Sequence, residues 1–150
     1  GRIVIKSKTI SSGYLDNREE TARHFKDGWF FSDDFGFMDK DGFLYVLGRE
    51  SELLTKTGRG RPIFAKELED AIYELDCVKH CCATLVHDKN VVLFVSLRLG
   101  SDNARAKITA YCDEHVDDSL MPVKVIIKDN LPITPLGKLD RKLLQMEAGG

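Results

Sequence analysis

Lys138 is the residue of this chain best placed by its neighbours to act on an anion. It lies in the stretch Pro132 to Arg141, where Pro132 and Pro135 fix φ and Gly137 frees the backbone just before the lysine. A single ammonium on such a hinged turn reads as a reaching group for an anionic ligand. The plainer reading is a solvated surface turn, which is what most Gly-Lys pairs in loops are. A helix is expected to follow from Asp140 to Met146, its acidic first residue suiting the helix dipole.

A second set of candidates lies in the first third. Ser32-Asp33-Asp34 interrupts a run of aromatic residues, and the expectation is a break between a strand over Trp29–Phe31 and another over Phe35–Asp39. A carboxylate at such a break is suited to accept two hydrogen bonds from a vicinal diol such as a ribose. A turn aspartate bonded to nearby amides is the commoner case. Arg49, after Gly48 at the end of the following strand, could pair with Asp34, a phosphate or a ribose. A surface ion pair of little energetic weight is the alternative.

Other chemistry-bearing residue types form no pattern. The four cysteines (Cys77, Cys81, Cys82, Cys112) contain no Cys-x-x-Cys pair, and adjacent Cys81 and Cys82 would point to opposite faces of a strand. They read as small core hydrophobes of a reducing, cytoplasmic compartment. The four histidines are scattered without ligand spacing, so no metal site is assigned. A formal net charge of −2 and a pI of about 6.1 imply no basic face for nucleic acid. No apolar run approaches membrane-spanning length, and no signal peptide opens the sequence.

These residues need a scaffold, and 150 residues at 43% hydrophobic suffice for one domain or two small units. The opening strand, Arg2–Lys6, reads as the continuation of a longer protein. Asn17 is expected to cap a helix over Arg18–Phe25, with Glu20 as its capping-box partner. A turn at Asp39–Gly42 then leads into a strand over Phe43–Leu47, completing a hairpin. A boundary is expected at Glu50-Ser51-Glu52. Beyond it the periodicity predicts a short strand and then a Gly/Arg-rich loop from Lys56 to Pro62. A helix over Ala65–Leu75 follows, then a two-strand hairpin over Val78–His87 and Val91–Leu99. A helix over Asp102–Val116 and a strand over Val123–Lys128 complete the set. This is an α+β unit with two helices on one face of a sheet. The Lys56–Pro62 loop is not a Walker loop, because no Gly-Lys-Ser/Thr follows its glycines.

Several of these stretches, in this order, resemble the C-terminal end of the adenylate-forming superfamily, which includes acyl-CoA synthetases, luciferase and nonribosomal peptide adenylation domains. Gly13-Tyr14-Leu15 with Asn17, Glu20, Thr21 and Phe25, then Asp27-Gly28-Trp29, is similar to the end of the family's large domain. Ser32-Asp33-Asp34 stands where the family has Thr-Gly-Asp, and Gly48-Arg49 matches its Gly-Arg. Glu67-Leu68-Glu69 resembles its Glu-Ile-Glu helix start. Pro132-x-Thr134-x-x-Gly137-Lys138 with Arg141 resembles its terminal lysine motif.

The resemblance implies a fold and a division. Residues 1–50 would be the β-rich end of a larger N-terminal domain, and residues 51–150 a small mobile α+β lobe with a helix-flanked sheet. It implies that a carboxylic acid attacks ATP to give an acyl-adenylate, and that a thiol of CoA or a phosphopantetheine then displaces AMP. Lys138 would be catalytic, Asp34 and Arg49 nucleotide-binding, and Ser51 the hinge. Gly58, Arg59 and Gly60 would belong to the loop facing the thiol. Mg2+ would be bound mainly outside this stretch, by the N-terminal domain acting in cis.

Four residue-level departures from the family pattern stand out: Asp33 for a glycine, Ser51 for an aspartate or lysine, Ala65 for a proline, and a longer Gly/Arg loop. Two further readings stay open. One is an adenylation domain loading an amino or hydroxy acid onto a carrier protein, and the other is a non-catalytic interaction module on a similar sheet.

Overall fold

The computed structural model describes residues 1–55, 61–87, 90–116, 118–120 and 123–149. The chain divides into two compact units, Gly1–Ser51 and Glu52–Gly150.

The first unit is a four-stranded antiparallel sheet with one short helix. Strand β1 (Arg2–Ile5) and the two-residue β2 (Phe25–Lys26) flank β3 (Trp29–Met38), which also pairs with β4 (Leu44–Arg49). The expected break at Ser32–Asp34 does not exist. β3 runs unbroken for ten residues because β1 and β4 both pair with its middle, satisfying the backbone there. β4 likewise carries on through Gly48 and Arg49. The register slips between Phe35 and Gly36, where a Cβ on Gly36 would lie 2.4 Å from the Tyr45 carbonyl oxygen, so only glycine allows the approach. Helix α1 (Arg18–His24) starts as expected, with Asn17 Oδ1 accepting from the Glu20 amide at 3.1 Å. The reciprocal half of the capping box is replaced, since the Glu20 carboxylate instead meets His24 Nε2 at 3.1 Å.

This unit has no apolar core of its own. Its buried residues are His24, Ser32 and Gly36, while Met38 and Phe43 are each 67% exposed and Phe37 stacks on Tyr45 in the open. A sheet this small that buries no large apolar side chain lacks the main driving force for independent stability.

The second unit holds both hydrophobic clusters. Its sheet orders β5 (Val78–Val86), β6 (Asn90–Leu97) and β7 (Val123–Ile127), antiparallel then parallel, with β6 in the middle. Helix α3 (Ala104–His115) makes the crossover a parallel pair requires. Being central, β6 is buried on both faces, which explains its unbroken apolar run from Val91 to Val95. Side chains alternate between the clusters. Cys81, Ala83, Leu93 and Val95 pack against Leu68 and Ile72 of α2 (Ala65–Ile72) and Ile108 and Cys112 of α3. Cys82, Val92 and Phe94 pack on the other side against Leu131 and Leu144, the latter from helix α4 (Arg141–Gly149). The pair of helices on one face is therefore α2 and α3, and α4 covers the opposite face. Several elements are shorter than expected, α3 by three residues among them. The helix from Ala65 stops at Ile72, and the strand after Glu52 is reduced to a single bridge between Leu53 and Phe64.

Candidate functional site

The lysine loop is a hydrogen-bonded hairpin. Thr134 N–H donates to the Lys138 carbonyl at 2.7 Å, Gly137 N–H to the Thr134 carbonyl at 2.9 Å, and Asp140 N–H to the Pro132 carbonyl at 2.8 Å. Gly137 takes φ +77°, a left-handed turn conformation in which a side chain would be strained. Asp140 then caps α4, its Oδ1 accepting from the Leu143 amide at 3.0 Å. Leu131 on the incoming strand is buried in the second cluster, and Leu139 on the outgoing one packs against it. Lys138 sits between these supports with its side chain exposed, and among the described residues no carboxylate pairs with its ammonium. The backbone is tied down while the charge is left available.

The ion pair that closes this loop onto the sheet was not foreseen. Arg141 donates to both Glu69 oxygens, at 2.6 and 3.3 Å, and also to the Ala83 carbonyl. Glu69 Oε1 in turn accepts the Ala83 amide at 2.8 Å. The two side chains are 24% and 14% exposed. Burial works against the Arg141 charge, but the hydrogen bond and charge of Glu69 outweigh it, so the guanidinium is held even more firmly protonated than usual. A signal was present in the sequence. Glu69 falls four residues after Ala65 and three before Ile72, inside the apolar stripe of α2, where an acid needs a cation.

In the first unit, Asp34 and Arg49 are direct cross-strand partners, with Arg49 Nε donating to Asp34 Oδ1 at 3.2 Å. Their side chains are 36% and 66% exposed, so the pair contributes little stability, about 0–1 kcal/mol, and the carboxylate stays open to solvent. Asp33 points to the other face, as neighbouring strand residues must, and lies 3.9 Å from Arg23 and 3.8 Å from His24. Ser51 lies in a 3-10 turn spanning Glu50–Glu52, where the two units divide. Gly58, Arg59 and Gly60 lie outside the described residues. Among the described residues no group of three or more His, Cys, Asp or Glu side chains could hold a metal ion, and no helix is long and apolar enough to cross a membrane.

Three of the four thiols, Cys81, Cys82 and Cys112, are core and not nucleophiles. Burial pushes Cys81 up to about 12, with the Glu69 charge adding to it, and pushes Cys82 and Cys112 up to about 11. These groups keep their protons where an unfolded chain, titrating near 9.0, would lose them. The stability they contribute is therefore full below pH 9 and lost as pH rises through 11 to 12. We expect alkylation at pH 8 to label half-exposed Cys77 in the folded chain and to reach the other three only after denaturation. Rapid labelling of Cys81 or Cys82 in the folded state would contradict their placement.

Residues 67–138 match the family model of the AMP-binding enzyme C-terminal domain. Over 149 residues the chain is 32% identical to the 2-succinylbenzoate–CoA ligase of Geobacillus kaustophilus (strain HTA426), covering 97% of this chain and 30% of that protein. It is 31% identical to the long-chain-fatty-acid–CoA ligase of Bacillus subtilis (strain 168), covering 98% and 27%. Among solved structures, ATP-bound MatB from Rhodopseudomonas palustris aligns with a TM-score of 0.82 at 27% identity, over 98% of this chain and 30% of that one. The o-succinylbenzoate CoA synthetase MenE of Bacillus subtilis, in complex with its acyl-adenylate intermediate, aligns with a TM-score of 0.80 at 27% identity, over 97% and 30%. The chain thus spans about 30% of the length of the first of these curated relatives.

Proposed function

We propose that this chain is the C-terminal part of an adenylate-forming enzyme, an ATP-dependent, AMP-forming acid–thiol ligase of the acyl-CoA synthetase type, a reading supported by its similarity to the AMP-binding enzyme C-terminal domain and to CoA ligases. The observation that carries this reading is the exposed Lys138 ammonium, unpaired among the described residues, on a loop whose backbone is fixed by hydrogen bonds. An oxygen of the substrate carboxylate attacks the α-phosphorus of ATP, and the bond to pyrophosphate breaks. A thiol then attacks the acyl carbon of the adenylate, AMP leaves with the bonding electrons, and the thiol proton passes to solvent. The names of the relatives favour CoA as the thiol over a carrier protein.

In the first step negative oxygens from acid and nucleotide crowd together. Lys138 lowers that repulsion as a fixed positive charge and transfers no proton. Asp34 accepts hydrogen bonds from the ribose hydroxyls, with Arg49 beside it. Its geometry fits, since Arg49 Nε engages Asp34 through one oxygen and the carboxylate is solvent-accessible. Residues 1–50 form the end of the large domain, and residues 51–150 a lobe that turns about Ser51. This turn withdraws Lys138 and presents the loop with Gly58, Arg59 and Gly60 to the thiol. Magnesium would neutralise charge on the triphosphate and would be held mainly by residues outside this chain.

The division of labour is testable by exchange of labelled pyrophosphate into ATP. The full-length parent is expected to catalyse it in the presence of its acid, and the 150-residue chain alone is not. Acid-dependent exchange by the chain alone would mean that these 150 residues hold a complete adenylation site, and would overturn the reading of them as one part of a larger ligase.

A further inference from the structure

The proposed chemistry asks for one amine held to within an ångström, yet a hairpin tip by itself gives no such accuracy. The Lys138 hairpin is fastened at two places on one side of the sheet, Leu131 and Leu139, both by apolar packing that specifies depth more than direction. Directional fixing comes from Arg141, three residues after the lysine. Its planar guanidinium takes both oxygens of Glu69 and the Ala83 carbonyl, while Glu69 takes the Ala83 amide. Three elements, α2, β5 and the start of α4, therefore meet at a single polar node with fixed bond directions.

We infer that Glu69 and Arg141 are positioning residues for Lys138, a clamp that aims the loop in the adenylate-forming step. This inference rests on the proposed role of Lys138. The clamp touches no substrate. Removing it without leaving a buried charge should let the hairpin pivot on its two leucines and move the amine by about an ångström, a displacement that costs up to roughly a hundredfold in rate.

The test uses the full-length enzyme and three variants, with both half-reactions measured separately. In Glu69→Gln/Arg141→Gln the side chain at 141 is too short to span the node, and no charge is stranded. Its kcat for adenylate formation should fall ten- to a hundredfold, with KM for ATP and the rate of thiolysis of supplied acyl-adenylate within about twofold of wild type. Arg141→Lys keeps charge and reach but only one contact, and should recover part of that loss. Wild-type adenylation in the neutral pair, or equal loss of both half-reactions, would overturn the inference. Should the neutral pair fail to fold, Arg141→Lys decides the matter. A several-fold loss confined to adenylation supports the clamp, and an unaltered rate overturns it. Lys138→Ala, run beside them, separates the two ideas, because unimpaired adenylation there would sink the role of the lysine itself.

Discussion

Replacing Lys138 by alanine in the full-length parent is expected to lower the rate of acyl-adenylate formation by about 10²–10³, the usual cost of removing one preorganised charge from a developing transition state. Thiolysis of acyl-adenylate supplied from outside should stay within about threefold. The asymmetry follows from placement. The amine stands exposed at a hairpin tip, with no carboxylate beside it among the described residues. Its removal therefore leaves no buried partner unsatisfied and should not disturb folding, so lost activity reads out chemistry. If the residue belonged only to a solvated turn, neither half-reaction would change. If both fell equally, a role confined to the first step would be wrong.

The second large effect concerns stability. Arg141→Met in the 150-residue chain should lower unfolding free energy by about 3–5 kcal/mol, because it strands the Glu69 carboxylate where only 14% of that side chain is exposed. The Ala83 carbonyl loses a donor at the same time. Glu69→Gln/Arg141→Met should restore much of the loss, since the buried negative charge is gone and the amide still accepts the Ala83 N–H. Denaturant titration gives the answer as a midpoint shift at unchanged slope. A shift worth less than about 1 kcal/mol would mean that the pair is solvated and carries no load.

The fold was legible where one rule acted alone. The alternation that puts Cys81 and Cys82 in opposite clusters follows from the period of a strand, and α3 and β7 follow from apolar spacing to within two residues at each end. It was illegible where pairing outweighs composition. Ser32, Asp33 and Asp34 look like a turn, yet β1 and β4 on either side hold them extended. Helix α4 was visible in outline, but the face it covers was not, because nothing local says that Leu144 meets Phe94 rather than Ile72. For the candidate site, Lys138 and Arg49 were marked by residue type and neighbours, and Asp34 was singled out from Asp33 only by the family resemblance. Glu69 and Arg141 were quoted only as parts of motifs, since a contact across 72 positions leaves no local trace beyond an acid set in an apolar stripe.

The most direct measurement is the identity of the nucleotide left behind when the full-length parent joins an acid to a thiol, followed by phosphorus NMR on a single reaction. AMP and pyrophosphate, formed in step with the thioester, are the predicted products. ADP and inorganic phosphate with the same thioester would mean that the acid is activated as an acyl phosphate, and the role assigned to Lys138 beside an adenylate would be contradicted.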